Sequence, residues 1–244
     1  MRIPRLFISQ QLIINAEIEL DQNITRHIVQ VLRLKSGHPL VLFNGEGGEY
    51  QAELSRVEKR KTCAKITSFN SVERESSLYT HLAIGISKGD RMDYAIQKTV
   101  ETGVNEITPL FTEHCSVSLN TERIQKRLIH WQNIIHSACE QSGRNRIPHI
   151  NPPMQFDEFC SLPQSEIKLV LDPLANTTLS KVQLLKPSTC TLCIGPEGGL
   201  SQSEIEHAIK NDYVAVKMGI RTFRTETAAV VSMAALQLIW GDLK

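Results

Sequence analysis

Beyond Leu78 the chain repeats one rhythm, and that rhythm limits its fold more than any other feature. Short apolar runs alternate with helical segments. The runs "IKLVLDP" (167–173), "STCTLCIG" (188–195) and "YVAVKMG" (213–219) are apolar almost throughout. Strands apolar on both faces belong to parallel sheets covered by helices on each side. "YTHLAIGIS" and "EITPLF" read as two further strands. "DRMDYAIQKTVETG" reads as a helix, with Met92, Ile96, Thr99 and Val100 at helical spacing. "TERIQKRLIHWQNIIHSACEQSG" reads as a longer one, with Ile124, Leu128, Trp131, Ile135 and Ala138 on one stripe. Ser201 and Glu204 form an S-x-x-E capping box that opens "QSEIEHAIKN". The last helix, "TETAAVVSMAALQLIW", is apolar nearly all round and suits a core or a subunit interface. These elements predict an α/β domain with a mostly parallel sheet.

Residues 1–70 follow a different pattern. "LFIS", "PLVLFN", "EYQAELSRV" and "TCAKITSF" are β-rich, with a turn signal at "NGEGGE" (44–49). One helix candidate, "ITRHIVQVLRLKSG", is expected to stop at Gly37. This part reads as a small β-barrel or sandwich, and the polar "NSVERESS" (70–77) as a linker.

Charge and cysteines narrow the function. A net charge of +1 argues against indiscriminate nucleic-acid binding, although the N-terminal part is mildly basic. No run approaches the roughly 20 apolar residues that span a bilayer. The opening "MRIPRLFISQQL" is too polar after its short apolar part for a signal peptide, so a cytoplasmic location is expected. Without such a signal the six cysteines are expected to be reduced thiols. Cys190 and Cys193 form a CxxC on a strand, where positions three apart face opposite ways, so no metal is expected there.

Chemistry is expected at three strand ends, because ligands of open parallel sheets bind at the carboxyl ends of strands. "VLDP", "IGPEGG" and "VKMGIRTFRTET" each place Gly or Pro where a strand stops. If those strands are neighbours, their loops converge on one cleft. The glycine loop lacks the GK[ST] of a phosphate cradle and the spacing of G-x-G-x-x-G. Gly195, Gly198 and Gly199 would let bare main chain approach a ligand, which suits a nucleoside-type cofactor better than a polyphosphate. No nucleophile–base arrangement for covalent hydrolysis is visible in local spacing.

"IGPEGGLSQSE" followed by "MGIRTFRTETAA" resembles the paired signature of the SPOUT-superfamily methyltransferases. The chain is more closely similar to the RsmE-type family, the bacterial 16S ribosomal RNA uridine-N3 methyltransferases. "RLFI" with "HIVQVLRLKSG", "KGDRMDYAIQKTVETGVNEITP" and "HSACEQSGRNRIP" match further blocks in order. The resemblance implies a PUA-like RNA-binding β-barrel over residues 1–72. It also implies a SPOUT α/β domain with a deep trefoil knot over 73–244. It implies S-adenosyl-L-methionine held by Leu171, Asp172 and Pro173, by Gly195, Pro196, Glu197, Gly198 and Gly199, and by Met218, Gly219, Ile220, Phe223 and Thr225. It further implies a homodimer acting on 16S rRNA, with the rRNA within the small ribosomal subunit as its expected substrate.

Direct methyl transfer from a sulfonium needs alignment, with neither a metal nor a covalent enzyme intermediate. Losing the N3 proton puts negative charge on the uracil oxygens, which a guanidinium would stabilise. Arg224 and Arg221 are the candidates for that role. Glu226 is the candidate base or the partner that orients an arginine, against a plain role as a helix-start acid. RNA contacts are expected from Arg2, Arg5, His27 and Arg33, from Lys88, Arg91 and Lys98, and from Arg144 and Arg146, with Arg123, Arg127 and His130 on one helix face. His114, His136 and His207 read as surface or core histidines. Two rival readings stand beside this one: a ribose 2′-O methyltransferase of the same superfamily, and a non-catalytic RNA-binding protein.

Overall fold

The change of rhythm near Leu78 coincides with a change of architecture. The computed structural model describes residues 3–115, 120–163, 165–182 and 186–243. The chain divides into two units: one runs to Glu75 and includes Cys139–Ile147, the other comprises Ser76–Ala138 and Pro148–Lys244.

In the first unit the strands are β1 (Arg5–Phe7), β2 (Glu17–Leu20), β3 (Pro39–Phe43), β4 (Glu49–Val57) and β5 (Thr62–Asn70). They form one sheet in the order β1–β3–β4–β5–β2, antiparallel except for the β1–β3 pair. Alternate side chains such as Leu40, Leu42, Leu54, Ala64 and Ile66 fill its core, joined by Ile28. Each buried leucine or isoleucine among them contributes about 1.5–3 kcal/mol. The helix α1 (Gln22–Arg26) starts on Asp21, whose side chain accepts from the N–H groups of Asn23 and Ile24. It widens into π-type turns over His27–Leu32 and stops at Arg33, not at Gly37. Arg33 is left-handed (φ 52°), and the N–H groups of Arg33 and Leu34 both return to the Ile28 carbonyl. Burial of Leu34 takes the chain inward there, before Gly37 is reached.

Residues 139–147, which a linear division assigns to the second domain, hold the supposed linker in place within the first unit. Asn145 Nδ2 donates to Val72 O at 2.6 Å, Arg146 Nε to Glu73 at 2.8 Å, and Arg144 Nε to Glu75 at 3.0 Å. Arg5 and Arg74 share the buried carboxylate of Glu49, Arg74 at 2.9 Å, and both donate to the Gly143 carbonyl. Burial pushes the Glu49 carboxyl up, but the two guanidiniums outweigh it and hold it below the ordinary value. Arg5 is shifted down, mainly by its own burial. The expectation that Arg5 and Arg144 contact RNA is therefore corrected: both guanidiniums are buried and committed to carboxylates inside this unit.

The second unit is built on β6 (Tyr79–Gly85), α2 (Asp90–Glu101), β7 (Glu106–Phe111), α3 (Thr121–Ser142, grouped with the first unit from Cys139), β8 (His149–Ile150) and β9 (Met154–Gln155). It continues through α4 (Phe156–Ser161), β10 (Ile167–Leu171), β11 (Thr177–Thr178), β12 (Thr189–Ile194), α5 (Gln202–Lys210), β13 (Val214–Lys217) and α6 (Thr225–Ile239). The sheet order is β11–β13–β10–β12–β6–β7–β8, with β9 also on β7, and every pair is parallel. The stripe expected on α3 is buried at Trp131, Ile135 and Ala138. α5 opens on the expected capping box, and Glu204 also accepts from the Glu113 N–H at 2.9 Å. Cys190 and Cys193 are free and buried, and no group able to hold a metal ion occurs among the described residues. No described helix is long and apolar enough to cross a membrane.

Candidate active site

The order β13–β10–β12 makes the three unusual strands neighbours, so their carboxyl-end loops meet. They enclose a cavity of about 650 Å³, within the range of small-molecule sites. Leu171, Asp172 and Pro173 line it from β10, Gly195, Pro196, Glu197, Gly198 and Gly199 from β12, and Met218, Gly219, Phe223 and Thr225 after β13. Asp172 Oδ1 accepts the Leu174 N–H at 2.8 Å and so closes its own loop. Ile220 departs from expectation: it does not line the cavity and is 95% exposed, because the loop turns it outward.

The glycines serve the protein's own main chain before any ligand. A Cβ on Gly195 would lie 2.7 Å from Gly199 C and Leu200 N, so the loop can fold back on itself only if residue 195 is bare. Gly199 sits at φ +72°, closing the turn with its N–H on Pro196 O at 2.9 Å. A Cβ on Gly85 in β6 would strike Pro196 at 2.5 Å, a close approach signalled only by a glycine inside an apolar strand. His114, expected to be a surface or core histidine, packs against Gly198 and brings Nδ1 to 3.3 Å from Gly199 O.

Electrostatics order the mouth of the cavity. Glu197 accepts from the Lys88 N–H and from Arg91 Nη1, each at 3.1 Å. Burial pushes the Glu197 carboxyl up, yet hydrogen bonds from main-chain N–H groups and Arg91 bring it below the ordinary value. Arg91, expected on RNA, thus lines the cavity itself. Arg221 and Arg224 also line it and are exposed, while Glu226 does not line it. Glu226 Oε2 is buried and accepts no hydrogen bond from the described residues. Of the remaining RNA candidates, His27, Arg33, Lys88 and Arg146 are exposed, Lys98 is half-buried against Glu101 at 2.8 Å, and Arg2 lies outside the described residues. Sequence reasoning missed Leu174, Ile194, Leu200, Ile205, Val216 and Ala228, the apolar wall.

An apolar wall, bare main chain at the rim and no lysine among the glycines together fit a nucleoside-type cofactor. Comparison with known proteins agrees with that class. The RNA methyltransferase domain family matches residues 74–237, and its companion RNA methyltransferase PUA domain matches residues 20–67. The ribosomal RNA small subunit methyltransferase E of Buchnera aphidicola (from Schizaphis graminum) is 39% identical over 99% of this chain and 98% of its own length. That of Bacillus subtilis is 29% identical over 88% of this chain and 89% of its own. Among solved structures, a ribosomal RNA small subunit methyltransferase E from Neisseria gonorrhoeae bound to S-adenosylmethionine is 37% identical, with a TM-score of 0.93 over the whole of both chains. A Legionella pneumophila protein with bound S-adenosylmethionine is 39% identical, with a TM-score of 0.96 over the whole of both. The chain belongs to the ribosomal RNA small subunit methyltransferase E family, a family of S-adenosylmethionine-dependent RNA methyltransferases.

Proposed function

We propose that this protein methylates N3 of one uridine in 16S rRNA of the small ribosomal subunit. The observation that carries the reading is the convergence of three strand-end loops on one cavity ringed by bare main chain and three exposed arginines, Arg91, Arg221 and Arg224. Bound S-adenosylmethionine supplies an activated methyl group, so what the protein must add is alignment and charge control. As N3 loses its proton, negative charge spreads to the flanking oxygens. Arg224, at the start of α6, and Arg221 meet that charge in this reading, which their position on the cavity lining supports. Glu226 acts as a positioning residue for an arginine; it is not among the residues that line the cavity, and its buried Oε2 keeps its acceptor capacity among the described residues. Arg91 and Glu197 hold the glycine loop, and His27, Arg33, Lys88 and Arg146 supply phosphate contacts.

Two finer features belong to the same reading. The entry of β13 beside β10, on the far side from β12, supports a trefoil knot through which the last strand and α6 pass. Leu174 (84% exposed), Ile220 (95%) and Leu238 (61%) support a homodimer whose partner covers them.

The test is nucleoside mass spectrometry of small-subunit rRNA from a strain lacking the protein, with restoration by purified protein and S-adenosylmethionine. Loss and return of a base-methylated uridine is expected. Loss of a ribose methyl instead, or no change in methylation, overturns the reading.

A further inference from the structure

A second cavity, of about 900 Å³, lies along one face of the parallel sheet and takes in the first residues of β6, β7 and β12, and the proposed methyl transfer makes no use of it. Central parallel strands are normally apolar on both faces. Here one face changes character along its length. Tyr79 and His81 on β6, Glu106 and Thr108 on β7, and Thr189 on β12 share a face by register and by the two-residue period. Further along the same face Ala83, Leu110 and Cys193 are buried in the core beneath α4.

The polar side chains converge on one carboxylate. Tyr79 donates its hydroxyl to Glu106 Oε2 at 2.9 Å, and Asn151 donates to Glu106 Oε1 at 2.7 Å and to Thr108 at 2.8 Å. His81 bonds Thr108 through Nε2 at 2.8 Å, leaving Nδ1 at 3.7 Å from Glu106. Burial pushes the Glu106 carboxyl up, but Asn151, His81 and Tyr79 together bring it below the ordinary value, so it is ionised at neutral pH. Burial lowers His81, against the pull of the Glu106 carboxylate, which raises it. Tyr79 is pushed up to about 12, mainly by burial, and stays a donor.

The carboxylate thus sits three-quarters covered, between the Tyr79 hydroxyl and the Asn151 amide. Its side chain is 24% exposed, and no lysine or arginine occurs among the described lining residues. Lys168, on the same sheet face, is turned to Asn211 O and Asp212 instead. His149 is close enough to act on Glu106 but is exposed. A covered anion of this kind calls for a cation, and each oxygen keeps lone-pair capacity beyond the donor already present. Glu158 adds a second negative charge to the lining, which disfavours phosphate. Pro152 and Pro153 stiffen the rim, while Phe111 and Leu162 offer apolar wall to an alkyl stem.

We propose that this cavity binds an organic cation, an alkyl guanidinium or ammonium, with Glu106 as its counter-charge. The group can arrive on a free polyamine or as an arginine or lysine side chain of a basic protein. Both present the same chemistry.

The test is calorimetric titration of the full chain with spermidine and, separately, with N-acetyl-arginine amide. At least one is expected to bind saturably, and Glu106→Gln to weaken it tenfold or more while leaving S-adenosylmethionine binding unchanged. Spermidine alone binding identifies a free polyamine; the arginine amide alone identifies a side chain. Ser165→Arg, which leaves Glu106 intact and tethers a guanidinium at the lining, is expected to abolish binding of the free cation and serves if Glu106→Gln does not fold. Absence of saturable binding by both probes overturns the proposal. So does equal binding to either variant, or tighter binding of uridine monophosphate than of the cations at this site.

Discussion

Arg5, Arg74 and Arg144 in the first unit look like Arg91, Arg221 and Arg224 in the second. On charge alone all six could be phosphate contacts. The structure separates them by what surrounds each guanidinium. Arg5 and Arg144 are buried against Glu49 and Glu75, with carbonyl oxygens taking further N–H groups. Arg221 and Arg224 are exposed and border a cavity. A buried guanidinium must be matched where it lies, so it becomes scaffold; an exposed one keeps its donors for a ligand.

The sharpest way to break this comparison is Arg144→Ala. It strands the Glu75 carboxylate under the folded chain and is expected to cost about 3–5 kcal/mol in urea unfolding. A loss below 1 kcal/mol would return Arg144 to the ligand-binding set. Arg224→Ala should do the reverse, lowering kcat by about 10²–10³ in a methyl-transfer assay with little change in unfolding midpoint. A large stability loss there would make Arg224 scaffold as well.

Glu49 gives a pH test. Its carboxyl is held below 4.5 in the folded chain, so its pairing stabilises above the unfolded value and is lost as pH falls through the folded one. Stability should decline below about pH 4.5, and Glu49→Gln, though less stable at pH 7, should flatten that decline; an unchanged slope would argue against the pairing. Smallest of all is Arg91→Ala. The Arg91–Glu197 pair is about half exposed on the arginine side, so cofactor affinity should fall only a few-fold, about 1 kcal/mol or less. Calorimetry with S-adenosylmethionine reads this, and a hundredfold loss would make Arg91 a direct contact.

Much of the second unit was legible in the residues. The strands behind "IKLVLDP", "STCTLCIG" and "YVAVKMG", the capping box at Ser201 and Glu204, and the Trp131 stripe stand where periodicity places them. The cavity-facing loops were legible because Gly and Pro at strand ends mark special backbone. Other features gave weaker signals. β2 is only four residues long and half exposed, and Arg33 closes the first helix through a left-handed turn that its residue type does not advertise. The polar face of β6 and β7 was present as Tyr-x-His and Glu-x-Thr, but a polar residue every second position carries no meaning until its strand is known to be central.

By itself, the sequence determined the strand-and-helix alternation, the loops that could hold a cofactor, and the resemblance that named the chemistry. These are local properties, set by backbone preference and side-chain period within a few residues. Only the tertiary structure decided that β13 enters beside β10, that Gly195 is bare for the sake of Gly199 and Leu200, and that Arg144 belongs to Glu75. Those facts depend on pairs of residues far apart in the chain, and a charge or a glycine has the same letter whether its partner is solvent or a distant carboxylate.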